Sequence, residues 1–357
     1  MQFRALKYGM VFTAIGLGFV SIAVGGVWVF ALPAYAFGMV PLLELFFKPD
    51  PKNLTKAELE LVREDKVYDW MLYLLVPVQY ALVVFFLMSI GQEGLLWWEK
   101  LGFVWATGIG CGVLGINVAH ELGHRHKKSE QFLSKMLLLT SLYMHFFIEH
   151  NRGHHANVST HEDPASSRRG ENLYAFWIRS IVNSYRSAWH IENKRLRKKG
   201  IPVISLKNEM LVYQLIQAAF LGGIAIAFGW QAMLLFMCAA TLGFLLLETV
   251  NYIEHYGLQR EKLPSGTYER VRPDHSWNSN HPVGRLLLFE LSRHSDHHYR
   301  AGRKYQLLRH MEGAPQMPTG YPGMMVLSFI PPLWFRVMHK QIADYRGESV
   351  EGAVAMA

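Results

Sequence analysis

A chain of 357 residues could hold two soluble domains, but 51% of it is hydrophobic and 13% aromatic, with the apolar residues gathered into long blocks. Its two cysteines, Cys111 and Cys238, both lie inside such blocks, which argues against a disulfide framework, a Cys-ligated zinc site and an iron–sulfur centre. The net charge of +8 fits the Lys and Arg that collect in cytoplasmic loops of membrane proteins, and nucleic acid is not an expected partner.

A spanning helix needs about 20 apolar residues, because the hydrocarbon core is about 30 Å thick and a helix rises 1.5 Å per residue. The nearly uncharged stretch from Met10 to Phe47 allows two spans, near 10–30 and 32–47, with a turn expected at Pro33. A charged connector follows from Lys48 to Asp69, and then come apolar runs at 70–90 and 101–119. Beyond a long polar region, Met210 to Asn251 holds two more spans, near 210–228 and 231–251, with Gly229 at their turn. Phe132 to Phe147 reads as a shorter buried or interfacial helix. Pro331-Pro332 prevents Met324 to Phe335 from forming one regular helix.

Charge placement gives an independent count. Arg4 and Lys7 precede the first span, Lys48, Lys52, Lys56, Arg63 and Lys66 follow the second, and Arg125, Lys127, Lys128 and the run Arg195 to Lys199 follow the fourth. No basic residue lies near Pro33 or Gly229. Six spans with both termini cytoplasmic put every basic segment on one side. Arg4, Lys7 and Ala34-Tyr35-Ala36 imitate a signal peptide and its cleavage site, but the intervening apolar run is longer than a typical signal. The expected fold is therefore all-α: a single integral-membrane domain over 1–357 with six transmembrane helices. A cytoplasmic, histidine-rich helical cap is expected from regions 120–209 and 252–357.

The chain has 17 histidines, and many are grouped. His120-Glu121-Leu122-Gly123-His124 closes the fourth span, and His150, His154 and His155 follow the short apolar run. His255 closes the sixth span, and His294, His297 and His298 lie toward the C-terminus. Residues four apart share a helix face, so 120/124, 150/154 and 294/298 are expected to act as two-point metal clamps. Nine candidate ligands exceed the four to six that one ion accepts, which implies two metals. His145, His190, His310 and His339 read as interfacial or hydrogen-bonded side chains, and His126, His161, His275 and His281 as polar loop residues.

His120-Glu121-Leu122-Gly123-His124 also matches the HExxH pattern of zinc metalloproteases, in which the glutamate is a general base. That chemistry needs about three protein ligands and leaves the other histidines without a role. A metal transporter would carry ionisable residues along its spans, and these spans are nearly free of charge.

The histidine groups resemble the three histidine boxes of the membrane desaturases and hydroxylases, and within them most closely the membrane-bound alkane 1-monooxygenases. Asn251-Tyr252-Ile253-Glu254-His255-Tyr256-Gly257 resembles the additional motif of that branch. Glu162 to Ser166, Gly170-Glu171-Asn172 and Gly320 to Phe335 are similar to it too, so the likeness runs from about Lys48 onward. Arg125 stands where a lysine is common and His161 where a proline is usual, and neither change removes a ligand.

The resemblance implies two non-haem irons held by His120, His124, His150, His154, His155, His255, His294, His297 and His298. It further implies dioxygen as oxidant and terminal hydroxylation of a medium-chain n-alkane taken from the membrane, in the bacterial cytoplasmic (inner) membrane. The related xylene and cymene methyl hydroxylases share the boxes, which makes a methyl-aromatic substrate the alternative. Electrons must come from outside, because the chain has no flavin or haem motif and no CxxC pair. By resemblance the donor is rubredoxin, itself reduced by an NADH-dependent reductase, with Arg168, Arg169 and Arg195 to Lys199 as docking charges. Glu254 and Asp163 are candidates for orienting ligand imidazoles through their second ring nitrogen.

Overall fold

The computed structural model describes residues 2–348, and among them there is no strand, only two isolated bridges, Lys262–Tyr268 and Asn278–Gln316. Six helices are long and apolar enough to cross a membrane: Arg4–Val24, Gly26–Phe46, Val67–Ile90, Trp97–Gly123, Glu209–Phe228 and Trp230–His255. The all-α fold with six spans is what the hydropathy blocks and charge pattern require. Only 11% of the apolar window of Glu209–Phe228 is buried against protein. That helix turns most of its aliphatic surface outward, where water would penalise it and lipid would not.

The first turn is not where the sequence suggests. It falls at Gly25 and Gly26, whose φ angles of +66° and +52° suit residues without a Cβ, and not at Pro33. Glu99 closes the turn by accepting a hydrogen bond from the Gly26 N–H at 2.7 Å. Pro33 lies inside the second span, in the first turn of the helical segment Ala31–Ala34. In the first turn of a helix an N–H has no i−4 carbonyl within the segment to bond, so an imino acid costs little. The wide turn Tyr35–Met39 follows it directly.

The chain divides into two compact units. The first comprises Met1–Tyr35, Lys66–Gly153 and Ser184–Leu247. Its core draws on several spans through Ile22, Leu82, Phe86, Phe103, Ile224 and Phe236. The fourth and sixth spans approach closely at small residues: a Cβ on Gly108 would lie 2.7 Å from Leu242, and one on Gly243 would lie 2.6 Å from Cys111. Such contact lets helix backbones pack without bulky intervening side chains. The fourth span also carries a wide turn, Cys111–Ile116, just before the segment Asn117–Gly123 that bears His120.

The second unit comprises Ala36–Asp65, His154–Asn183 and Glu248–Ala357. Its core is aromatic: Trp334 packs on Tyr252 and Tyr256 with ring centroids 5.1 and 5.3 Å away. Pro331 starts the helix Pro331–Arg346, separate from Tyr321–Ser328, as the tandem prolines require. Glu44, 1% exposed, accepts from the Gly284 N–H at 2.7 Å and so ties the end of the second span to the helix Pro282–Leu287.

Candidate metal centre

In the first unit, His120 and His124 stand one helical turn apart at the end of the fourth span, with rings 4.8 Å apart. His150 joins them, its ring 4.5 Å from His120 and 5.0 Å from His124. The His124 and His150 Nε2 atoms are separated by 3.0 Å. Phe146 stacks on His150 at 4.6 Å and walls this trio on one side.

In the second unit, His154, His255, His294 and His298 bring one nitrogen each within 4.8 Å of one another, and all four are buried. The Nε2 atoms of His298 and His294 are 2.8 Å apart, those of His154 and His298 3.2 Å, and those of His294 and His255 3.3 Å. His155 and His297 form a further pair with Nε2 atoms 3.2 Å apart. Within the first unit three of the nine expected ligands come together as a trio, and within the second unit the other six come together as a quartet and a pair.

The clamp expected from 150/154 does not form as one: His150 packs with the trio and His154 with the quartet. The cause is local. His150–His154 winds as a wide turn with i to i+5 bonding, so residues four apart no longer share a face. The 120/124 and 294/298 pairs keep ordinary helical registry and stay together.

The donor set fits a cation. Two nitrogens held at ~2.1 Å by one ion, at roughly 90–110°, stand about 3.0–3.4 Å apart. The separations within the trio and the quartet cluster around that range. Without a cation the quartet is hard to satisfy. His298 Nε2 faces both His154 and His294, and His294 Nε2 also faces His255 and the Glu254 carboxylate. One proton per ring cannot serve all these contacts, and buried polar atoms without partners are costly. Burial and the neighbouring imidazoles also push the His298 ring well below the usual histidine range, which keeps it in the neutral, ligating form.

Asp163 touches the outer side of this set, with its carboxylate 2.9 Å from His154 Nδ1. Burial opposes its ionisation, but His154 and the Ser166 hydroxyl hold its carboxyl below the usual range. A charged Asp163 accepts the Nδ1 proton and leaves the His154 Nε2 lone pair aimed into the quartet. Glu254 is placed differently. It lies 3.2 Å from His294 Nε2, the inward-facing nitrogen, and not from an outer Nδ1.

The residues around His255 explain the rest of its sequence motif. Tyr252 donates to the Glu171 carbonyl at 2.7 Å, and the Tyr256 hydroxyl accepts from the Gly170 N–H and contacts His339 Nε2, both at 2.9 Å. Gly257 takes φ +70°, and a Cβ there would lie 2.6 Å from Ile342. Glu171 in turn grips Arg179 through two bonds of 2.6 and 2.7 Å.

Among the described residues no other histidine joins the clusters. His161 pairs with Gln259, His275 with Glu269, His281 with Ser279 and His310 with Asn280. His145 lies between Tyr143 and Tyr185, and burial pushes its imidazole down to about 3. Glu121, the base that a zinc-protease reading needs, is bonded to Arg125 at 2.6 Å, and Arg125 reaches Asp69 at 3.2 Å. Sequence reasoning missed this buried ion-pair network; an arginine one residue after the second histidine was its only signal.

Residues 95–328 match the fatty acid desaturase family. The chain is 42% identical over 327 residues to alkane 1-monooxygenase 1 of Pseudomonas aeruginosa, covering 91% of this chain and 86% of that protein. It is 39% identical over 332 residues to an alkane 1-monooxygenase of Pseudomonas putida, covering 93% and 82% respectively. It is 27% identical over 335 residues to the hydroxylase component of a xylene/toluene monooxygenase of Pseudomonas putida, covering 94% and 88%.

Proposed function

Because this chain belongs to the fatty acid desaturase family, and within it to the alkane 1-monooxygenases, we propose that it converts medium-chain n-alkanes to 1-alkanols with dioxygen as oxidant. The net reaction inserts one oxygen atom into a terminal C–H bond, while two electrons and two protons reduce the other to water. The observation that carries the reading is the grouping of nine imidazoles, seven of them in a trio and a quartet with cation-sized nitrogen spacing.

Two irons are assigned because the quartet alone fills most of one ion's coordination and further imidazoles remain. When bound, the irons supply the activation of dioxygen that C–H hydroxylation needs. The protein's own part is positional. Neutral imidazoles hold the ions without cancelling their charge, and Asp163 fixes the His154 tautomer. The apolar spans offer a dry route along which a hydrocarbon dissolved in the bilayer reaches the histidines end first, which favours the terminal carbon. Glu254, beside the inward nitrogen of His294, borders the space where oxygen and substrate would meet.

Electrons are assigned to rubredoxin, reduced by an NADH-dependent reductase, since no redox group is encoded in the chain. The membrane is read as the bacterial inner membrane, with both termini and the metal site cytoplasmic by the placement of Lys and Arg. An alkane is favoured over a methyl-aromatic substrate by the contrast between 42% and 27% identity. The test is product analysis of membranes containing the protein, supplied with iron, rubredoxin, reductase and NADH, and offered octane and p-xylene together. Mainly 1-octanol is expected. Mainly methylbenzyl alcohol would move the protein to the methyl-aromatic branch, and neither product despite bound iron would refute the substrate assignment.

A further inference from the structure

The last turns of the helix Leu173–Lys198 end in a run of cations that the structure divides in two. Arg195 is held by Glu192 through bonds of 2.6 and 2.7 Å, and it also donates to the Lys207 carbonyl at 3.0 Å. Arg152 is likewise taken up by Glu192 and Glu209. Lys194, Arg197 and Lys198, by contrast, have no ion-pair partner among the described residues. With His190 and Asn193 they line a groove of about 250 Å³. This is unneutralised charge arranged around a concavity, next to a carboxylate network that has already claimed the cations it needs.

A second observation says what fits there. The eight residues from Ile201 to Asn208 join this helix end to the fifth span, which begins at Glu209. They fold back on the helix: the Ile201 N–H donates to the Leu196 carbonyl at 3.0 Å, and Asn208 donates to Asn193 at 3.4 Å and to the Val203 carbonyl at 2.8 Å. From this fixed connector Ile204 and Leu206 project almost wholly exposed, at 90% and 78%. Bare aliphatic side chains beside a basic groove, at the foot of a spanning helix, match the boundary between headgroups and acyl chains.

We propose that this groove binds the phosphate of an anionic membrane phospholipid, with Ile204 and Leu206 inserted among its acyl chains. The proposal rests on the six apolar helices and not on the oxygenase chemistry. It also reassigns Arg197 and Lys198, which the sequence offers to an electron donor: an acidic soluble protein would satisfy these cations and Lys194 but gives Ile204 and Leu206 nothing to enter.

The test uses the full-length protein in a neutral detergent, titrated with phosphatidylglycerol or phosphatidylcholine and read by native mass spectrometry. Each cation near an anionic lipid surface is worth roughly fivefold in affinity, so the triple variant Lys194→Gln, Arg197→Gln, Lys198→Gln should retain phosphatidylglycerol at least about tenfold more weakly. Phosphatidylcholine retention should not change between the two proteins. The double variant Ile204→Ser, Leu206→Ser should weaken phosphatidylglycerol retention while leaving all the charges in place. All five side chains are exposed or lie at the groove surface, so melting temperatures in the neutral detergent should match the parent; a large drop in melting would assign them to the fold and overturn the proposal. Full competition by inorganic phosphate would make this a soluble-anion site. Unchanged lipid retention with a raised KM for the electron donor would make it a protein-docking surface. Either result overturns the assignment.

Discussion

The trio and the quartet use the same ligand type but are built differently. The His124–His150 contact of the trio closes over 26 residues, whereas the His154–His298 contact of the quartet closes over 144. His124 is half-buried, while all four quartet rings are buried and His154 is braced from outside by Asp163. The trio is assembled by one helix end and the segment that follows it. The quartet exists only when three distant segments of the second unit have come together. A metal in the quartet therefore reports on the fold of that unit.

The sharpest way to break this contrast is to remove one ligand from each set. Because catalysis is expected to need both ions, His298→Ala and His120→Ala should each lower 1-octanol formation by about 100-fold or more. Bound iron measured by elemental analysis should fall in both. His298→Ala should in addition lower the melting temperature more than His120→Ala; equal melting would erase the proposed difference in folding linkage. A strong chelator should strip the wild-type protein in two phases, the trio first because its His124 is half-buried, and a single phase would count against unequal access.

Asp163→Asn keeps the shape but loses the charged acceptor for the His154 proton. Metal affinity should fall about 10–100-fold, as usual for a partner of a ligand imidazole, without loss of the folded state. An unchanged chelator competition curve would remove Asp163 from the site. Gly257→Ala asks for φ +70° in a residue with a Cβ and pushes that atom toward Ile342, so thermal unfolding should show a loss of about 1–3 kcal/mol. The smallest effect is expected from His275→Gln. His275 is buried but bonded to Glu269, outside all three groups, so iron content should stay at the parent level.

Much of this was legible in the sequence because membranes and metals both impose strict patterns. Six apolar blocks announce six helices, since a continuous apolar run of about 20 residues spans the bilayer with its backbone satisfied only as a helix. His120/His124 and His294/His298 were legible as pairs because they obey helical spacing. His150/His154 was misleading for the same reason, since nothing in the segment His150–His154 announces a wide turn. The turn at Gly25–Gly26 was hidden behind Pro33, a stronger-looking punctuation mark that a helix's first turn tolerates. Glu254 was named as a residue near the metal, but which imidazole nitrogen it faces depends on long-range packing that spacing does not encode. The ion pair of Arg125 with Asp69 likewise joins segments far apart in the chain, although Glu121, its other partner, is only one helical turn away.

The wide turn at His150–His154 has a consequence for how such a site tolerates change. It acts as a phase shifter: one short stem delivers His150 to one ligand set and His154 to another, although a regular helix would send both in the same direction. The register of this stem, and not only the identity of its histidines, is therefore part of the specification. Deleting a single residue between them, Asn151 for example, would preserve every ligand in the composition yet misdirect one of them. Insertions and deletions here should be purged more strictly than most substitutions, because a slip of register is an error that no neighbouring side chain can repair.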